Sequence, residues 1–147
     1  MQAKFIYEAI KIIGGRNSSI TKELKLESKV EFLGQLHHKE VMEYASLCDI
    51  FSLPSWKEGF GIVYLEAMAQ GKPVIACKGE GAEDFILHKE NGILVRSKDV
   101  NNLSEAIDFL LSNPEKSKEI ARKAENTVFE KHTLDKVAGQ IINLYNK

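Results

Sequence analysis

The sequence predicts an α/β protein: a parallel sheet with helices on both faces and extra helices towards the carboxyl end. Three observations carry this prediction. Short apolar runs alternate with stretches of helical spacing, without low-complexity tracts or repeats. The run Ile50-Phe51-Ser52-Leu53 suits a buried parallel strand, because strands covered on both faces read as near-continuous apolar segments. From Val100 onward the strand signals stop and only the helical period continues. Alternating strands and amphipathic helices argue for a parallel sheet with both faces covered.

The elements follow in order. Lys11 to Ile13 reads as a short strand ended by Gly14-Gly15. Ser19 is placed to cap a helix running to about Glu27, with Glu23 in its first turns. Val30-Glu31-Phe32-Leu33 is a strand closed by Gly34, and Lys39 to Leu47 has helical spacing through Val41, Tyr44 and Ala45. Pro54 stops the Ile50–Leu53 strand. A helix from Gly61 to Gln70 is ended by Gly71, after which Pro73-Val74-Ile75-Ala76 begins another strand. The turn pair Asn91-Gly92 leads into the short strand Gly92-Ile93-Leu94-Val95. Leu103, Ala106, Ile107, Leu110 and Leu111 repeat at helix period. Asn113-Pro114 breaks that helix, and two more are expected, Pro114 to Lys131 and Thr133 to Tyr145. Ligands of such sheets sit beyond the carboxyl ends of the strands. The segments Pro54 to Gly61 and Cys77 to Asp84 both leave such ends and could line one crevice.

Composition narrows the function classes. A chain of 147 residues suits one domain or a large part of one, enough for a real core. Hydrophobic content of 44% and charged content of 28% are those of a soluble globular protein. Net charge is -1, with both signs interspersed and no basic tract, so no nucleic-acid partner is expected. Cys48 and Cys77 lack metal-ligand spacing and read as buried free thiols in a reducing compartment. No stretch approaches the ~18 apolar residues of a membrane span. Met1 opens no signal peptide, so a cytoplasmic location without a transmembrane segment is expected. His37-His38 lacks further metal ligands and reads as a helix start, and His88 and His132 read as surface residues. No metal site is expected.

The segment Glu58-Gly59-Phe60-Gly61-Ile62-Val63-Tyr64-Leu65-Glu66 is the most informative in the chain. Glu58 sits in a glycine-bearing loop, while Glu66 lies in a helix apolar on nearly every side, which is the pattern of a buried helix. A buried, unpaired carboxylate costs roughly several kcal/mol. Glu66 therefore calls for a partner, either a protein cation or the hydroxyls of a bound molecule. Gly59 and Gly61 fit two readings, a tight strand-to-helix turn or a backbone approached by a ligand at a helix start with unpaired N–H groups. Glu58 beside the positive end of a helix dipole is favourable with or without substrate. A carboxylate aimed at a pocket can also accept from paired sugar hydroxyls.

These residues form part of a longer ordered series. Ser52-Leu53-Pro54-Ser55, Glu58-Gly59-Phe60-Gly61, Leu65-Glu66-Ala67-Met68-Ala69 and Gly71-Lys72-Pro73-Val74-Ile75-Ala76 follow one another in that order. The series extends through Glu90-Asn91-Gly92-Ile93-Leu94-Val95 and upstream to Val30-Glu31-Phe32-Leu33-Gly34. It resembles the donor-binding, C-terminal domain of retaining GT-B glycosyltransferases of group 1 (family 4), over about Val30 to Leu111. The resemblance implies a Rossmann-like sheet, the C-terminal half of a GT-B fold, in an enzyme that moves a hexose-type sugar. It implies a nucleotide-sugar donor (UDP-, GDP- or ADP-linked), no further cofactor, and a glycan or lipid-linked acceptor. Peripheral membrane association of the parent protein is compatible with that acceptor class.

The implied roles fall on named residues. Glu58, the catalytic candidate, would contact hydroxyls of the transferred sugar, and Glu66 would hydrogen-bond the nucleotide ribose. Backbone N–H groups around Gly59, Phe60 and Gly61 would hold sugar oxygens, and those of Ile62 and Val63 would face the distal phosphate. Leu33-Gly34-Gln35-Leu36 corresponds to the base-binding edge, which makes Gly34 and Gln35 donor-binding candidates.

Departures from the family pattern are equally specific. Glu80 and Gly81 stand where two adjacent glycines are usual, and Asp84 stands at the family's glutamate, with Glu83 where proline is common. Nothing before Val30 reproduces the Gly-Arg loop and following Lys that neutralise the diphosphate; Lys11 and Arg16 do not fit the spacing. The expectation is a single nucleotide-sugar-binding domain over residues 1–147, truncated at its N-terminus and lacking the acceptor-binding domain. Alone it would be inactive. A non-catalytic nucleotide- or partner-binding module of the same fold is the alternative. Trp56 could shape the sugar pocket or simply pack, and Lys57 and Lys78 are either phosphate neighbours or solvated lysines.

Overall fold

A computed structural model describes residues 10–13, 19–55 and 57–145. Residues 1–9, the Gly14-Gly15 stop, Arg16 and Trp56 lie outside the described residues. The chain divides into two compact units, Met1–Glu43 and Tyr44–Lys147. Each contains a parallel sheet.

In the first unit β1 (Ile10–Ile13) pairs in parallel with β2 (Val30–Gly34), in a register that shifts between Ile12 and Ile13. The helix between them, α1 (Ser19–Glu23), is shorter than its sequence pattern. Lys25 takes a left-handed conformation (φ 56°), and the Lys25 and Leu26 N–H groups donate back to the Lys22 and Thr21 carbonyls at 3.1 and 2.7 Å. That paired 5→2 and 6→1 closure satisfies the last carbonyls of a helix and ends it. α2 (His38–Leu47) begins in this unit, with the Glu40 carboxylate accepting the His37 N–H at 2.9 Å, as a capping-box acid does.

In the second unit β3 (Phe51–Leu53), β4 (Val74–Cys77) and β5 (Ile93–Val95) lie side by side in that order, all parallel. β4 is the central strand, and all four of its residues are buried. Their alternation divides the core between two faces. Val74 and Ala76 pack with Tyr64, Leu65, Ala67 and Met68 of α3 (Ile62–Ala69). Ile75 and Cys77 pack with Ala106 and Leu110 of α4 (Val100–Ser112). α5 (Pro114–Lys131) serves both: Ile120 belongs to the second cluster, Ala124 and Val128 to the first. The expected sheet covered on both faces is thus present. α6 (Leu134–Tyr145) contributes no buried residue. Among the described residues no helix is long and apolar enough to cross a membrane.

The connection after β4, read from sequence only as a loop, contains a short 3-10 turn, Gly81–Asp84. Asn91, 4% exposed, carries a buried side-chain amide. Its amide donates to the Phe85 carbonyl at 2.9 Å and to Thr127 Oγ1 at 3.0 Å, while its oxygen accepts the Leu87 N–H at 2.6 Å. A buried amide satisfied on both sides fixes the chain around it. Asn91 therefore does more than turn the chain into β5; it ties that turn to α5.

Candidate functional site

Glu58 to Gly61 leave the carboxyl end of β3, and Lys78 to Asp84 leave that of β4. The two segments meet. A Cβ placed on Gly81 would lie 1.7 Å from the Gly59 carbonyl oxygen and 2.9 Å from Phe60 Cα. Only a residue without a side chain permits so close a backbone approach. The Glu58 N–H donates to Glu80 Oε2 at 3.3 Å, and the Phe60 ring lies against Phe85 with centroids 5.4 Å apart. One continuous lip therefore joins the two strand ends.

The start of α3 is fixed by Gly61 and Tyr64. Gly61 caps the helix in a left-handed conformation (φ 82°, ψ 49°). A Cβ there would meet the Tyr64 ring at 2.5 Å and Glu58 Cγ at 3.3 Å. Tyr64 is 1% exposed, and its hydroxyl donates to the Leu53 carbonyl. Burial first, then the charges of Glu58, Cys77 and Glu80, push that hydroxyl well above the usual phenol range. It remains a neutral donor. The tyrosine thus anchors the first turn of α3 to the end of β3, with its ring as the floor under Gly61. In sequence it looked like one more apolar helix residue, and nothing in spacing marked it out.

The other site residues are arranged by helix geometry. Residues four apart share a helix face. Ile62 is 64% exposed, and Glu66 is half-buried one turn later, with half-buried Val63 beside them. α3 therefore buries Tyr64, Leu65, Ala67 and Met68 while turning the Ile62–Glu66 side outward. The expectation of a buried Glu66 is corrected by this to a half-buried one: the helix has one open face despite its apolar composition. Glu58 is half-buried in the lip, and Gly59 and Phe60 are exposed, Phe60 at 46%. Gly34 ends β2 with φ 68°, and Gln35 lines a small hollow with Leu36 and His37 in the first unit.

Several secondary expectations shift. Lys57 and Lys78 are exposed. Cys48 and Cys77 are free thiols, but only Cys77 is buried; Cys48 is half-buried. His88 is exposed, as read from sequence, whereas His132 is half-buried with its ring edge-on to Phe85, centroids 5.7 Å apart. His132, Phe85 and Phe60 thus form a row of adjacent rings. Glu83 accepts the Gly79 N–H at 2.8 Å, a local tie within the loop after β4. Among the described residues no group of three His, Cys, Asp or Glu is placed to hold a metal ion.

Chemically, the arrangement offers the N–H groups at the start of an eight-residue helix, with the Glu58 carboxylate before that start and that of Glu66 one turn beyond Ile62. N–H groups at a helix start suit a phosphate, and carboxylates accept from hydroxyls.

Comparison with known proteins gives a consistent answer. Residues 10–127 match the family described as Glycosyl transferases group 1. An uncharacterized glycosyltransferase of Methanocaldococcus jannaschii is 34% identical over 123 residues, covering 84% of this chain and 32% of the relative. The N,N'-diacetylbacillosaminyl-diphospho-undecaprenol alpha-1,3-N-acetylgalactosaminyltransferase of Campylobacter jejuni is 30% identical over 139 residues, 92% of this chain and 36% of that protein. Among solved structures, Anabaena HepE in complex with UDP and glucose superposes with a TM-score of 0.81 at 25% identity, covering 94% of this chain and 40% of HepE. The chain spans about a third of the length of the curated relatives it matches.

Proposed function

This chain belongs to the group 1 glycosyl transferases, and from that membership we propose that it is the nucleotide-sugar donor-binding domain of a retaining hexosyltransferase. The observation that carries the reading is the unit from Glu58 to Glu66, where a left-handed Gly61 opens α3 beyond the carboxyl end of β3. In this reading the Ile62 and Val63 N–H groups take the distal phosphate of the donor. The N–H groups of Gly59, Phe60 and Gly61 take sugar oxygens, and Glu58 orients the sugar through its hydroxyls. Glu66, on the open face of α3, accepts from the ribose. Gly34 and Gln35 are assigned to the base on the strength of the family pattern.

The chemistry asked of these groups is modest. Donor orientation and stabilisation of charge on the leaving diphosphate lower the barrier without a strong protein base. The proposed donor is a UDP-, GDP- or ADP-linked hexose. The proposed acceptor is a glycan or a lipid-linked glycan, and the chain by itself binds donor without turning it over.

Titration calorimetry of the 147-residue chain with UDP, GDP and ADP and their hexose conjugates tests this. Glu66→Ala is expected to weaken nucleotide and sugar-nucleotide alike, by about tenfold for a lost hydrogen bond to a charged group. Glu58→Ala is expected to reduce mainly the advantage that the sugar confers. If none of the six ligands binds while circular dichroism shows an intact fold, the donor site is wrongly drawn.

A further inference from the structure

Glu80 stands where the family pattern has the first of two adjacent glycines, and its side chain reaches where no glycine could. It accepts the Glu58 N–H at 3.3 Å, across 22 residues of sequence. The backbone at Glu80 is extended, and the 3-10 turn begins directly after it. Its side chain is half-buried, and its charge helps to raise both the Cys77 thiol and the Tyr64 hydroxyl, each raised first by burial. The carboxylate therefore faces the Glu58 loop. The adjacent Gly81 lies flat on the Gly59 carbonyl. Two consecutive residues thus hold the Glu58 loop by different means, one by backbone contact and one by a side-chain hydrogen bond.

We propose that Glu80 is a positioning residue for the sugar of the donor: by accepting the Glu58 N–H it fixes the loop whose carboxylate and N–H groups take the sugar. This rests on the donor-site reading above. A hydrogen bond from the loop backbone to a side chain of the neighbouring segment favours the loop conformation that makes it. The nucleotide contacts proposed for Ile62, Val63 and Glu66 belong to α3, whose start is held by Tyr64 and Gly61 instead. Glu80 should therefore act on the sugar and leave the nucleotide alone. A merely structural residue would weaken both.

The test compares dissociation constants for UDP with UDP-glucose, GDP with GDP-mannose and ADP with ADP-glucose, in the wild-type chain and its variants. Glu80→Ala is expected to cut the sugar-nucleotide advantage by up to about tenfold, the upper end of the net worth of one ordinary hydrogen bond. Nucleotide affinity is expected to change less than about twofold. Glu80→Gln, whose amide oxygen still accepts the N–H, restores most of the advantage. Should Glu80→Ala fail to fold, Glu80→Asp, one methylene short, takes its place against Glu80→Gln. An advantage that survives Glu80→Ala, equal weakening of both ligands, or failure of glutamine to restore it overturns the inference while leaving the donor site standing. Absence of any nucleotide binding in the wild-type chain removes both.

Discussion

Gly61 carries two constraints that act at the same point. Its left-handed backbone disfavours any L side chain, and the Tyr64 ring occupies the space where a Cβ would go. Gly61→Ala is therefore expected to destabilise the protein by at least about 2 kcal/mol, from a strained backbone together with a displaced ring. Gly59 has nothing within 4 Å of its Cβ position, so Gly59→Ala should change stability by no more than about 0.5 kcal/mol. Urea denaturation of the two variants measures the difference, and equal midpoints would show that Tyr64 does not hold Gly61 as described. At this scale part of the site was legible. Two glycines before an apolar helix announce a special backbone, and a loop carboxylate beside them announces chemistry. Tyr64 and Glu80 were not legible, because their roles come from a carbonyl 11 residues away and an N–H 22 residues away. No local pattern encodes such a distance.

Helix ends show why element boundaries followed the sequence closely, and where they did not. α5 runs from Pro114 to Lys131, as its proline and apolar period predict. α1 stops early because Lys25 adopts the closing conformation usually left to glycine. α4 begins at a side-chain cap: Asp99 accepts the Asn102 N–H at 2.9 Å and the Arg96 Nε–H at 2.8 Å. The Asn102 bond first, and the Arg96 bond after it, hold the Asp99 carboxyl below its ordinary value. A carboxyl whose folded value is depressed stabilises fully above its unfolded value of about 3.9 and loses that contribution as pH falls through the folded value. Asp99→Asn keeps a capping oxygen that does not titrate. The variant is therefore expected to lose less stability than wild type between pH 5 and pH 2, as followed by helical circular dichroism. Identical acid profiles would show that the Asp99 cap carries none of the pH dependence.

The second unit is held together through β4, whose alternate residues feed two apolar clusters on opposite faces of one sheet. α5 joins those clusters, since Ile120 lies in one and Ala124 and Val128 in the other. Ile120 is fully buried, so Ile120→Ala is expected to cost about 2–5 kcal/mol, the range for truncating a core isoleucine. Leu134 on α6 is exposed, and Leu134→Ala should stay within about 0.5 kcal/mol. Thermal unfolding of both variants decides it; similar melting temperatures would mean that Ile120 contributes no more to the core than exposed Leu134.

Sequence alone determined the α/β class, the order of strands and helices, the two-faced core and the position of the loop–helix unit from Glu58 to Glu66. Those features follow from hydrophobic period, glycine and proline placement and local capping, which act over a few residues. Tertiary structure alone decided that α3 keeps its Ile62–Glu66 side open, and that Gly81 lies against the Gly59 carbonyl. It also decided that Glu80 holds the Glu58 loop. These depend on how two strand ends are brought side by side by parallel pairing of β3 with β4, a contact between segments that the chain itself keeps far apart.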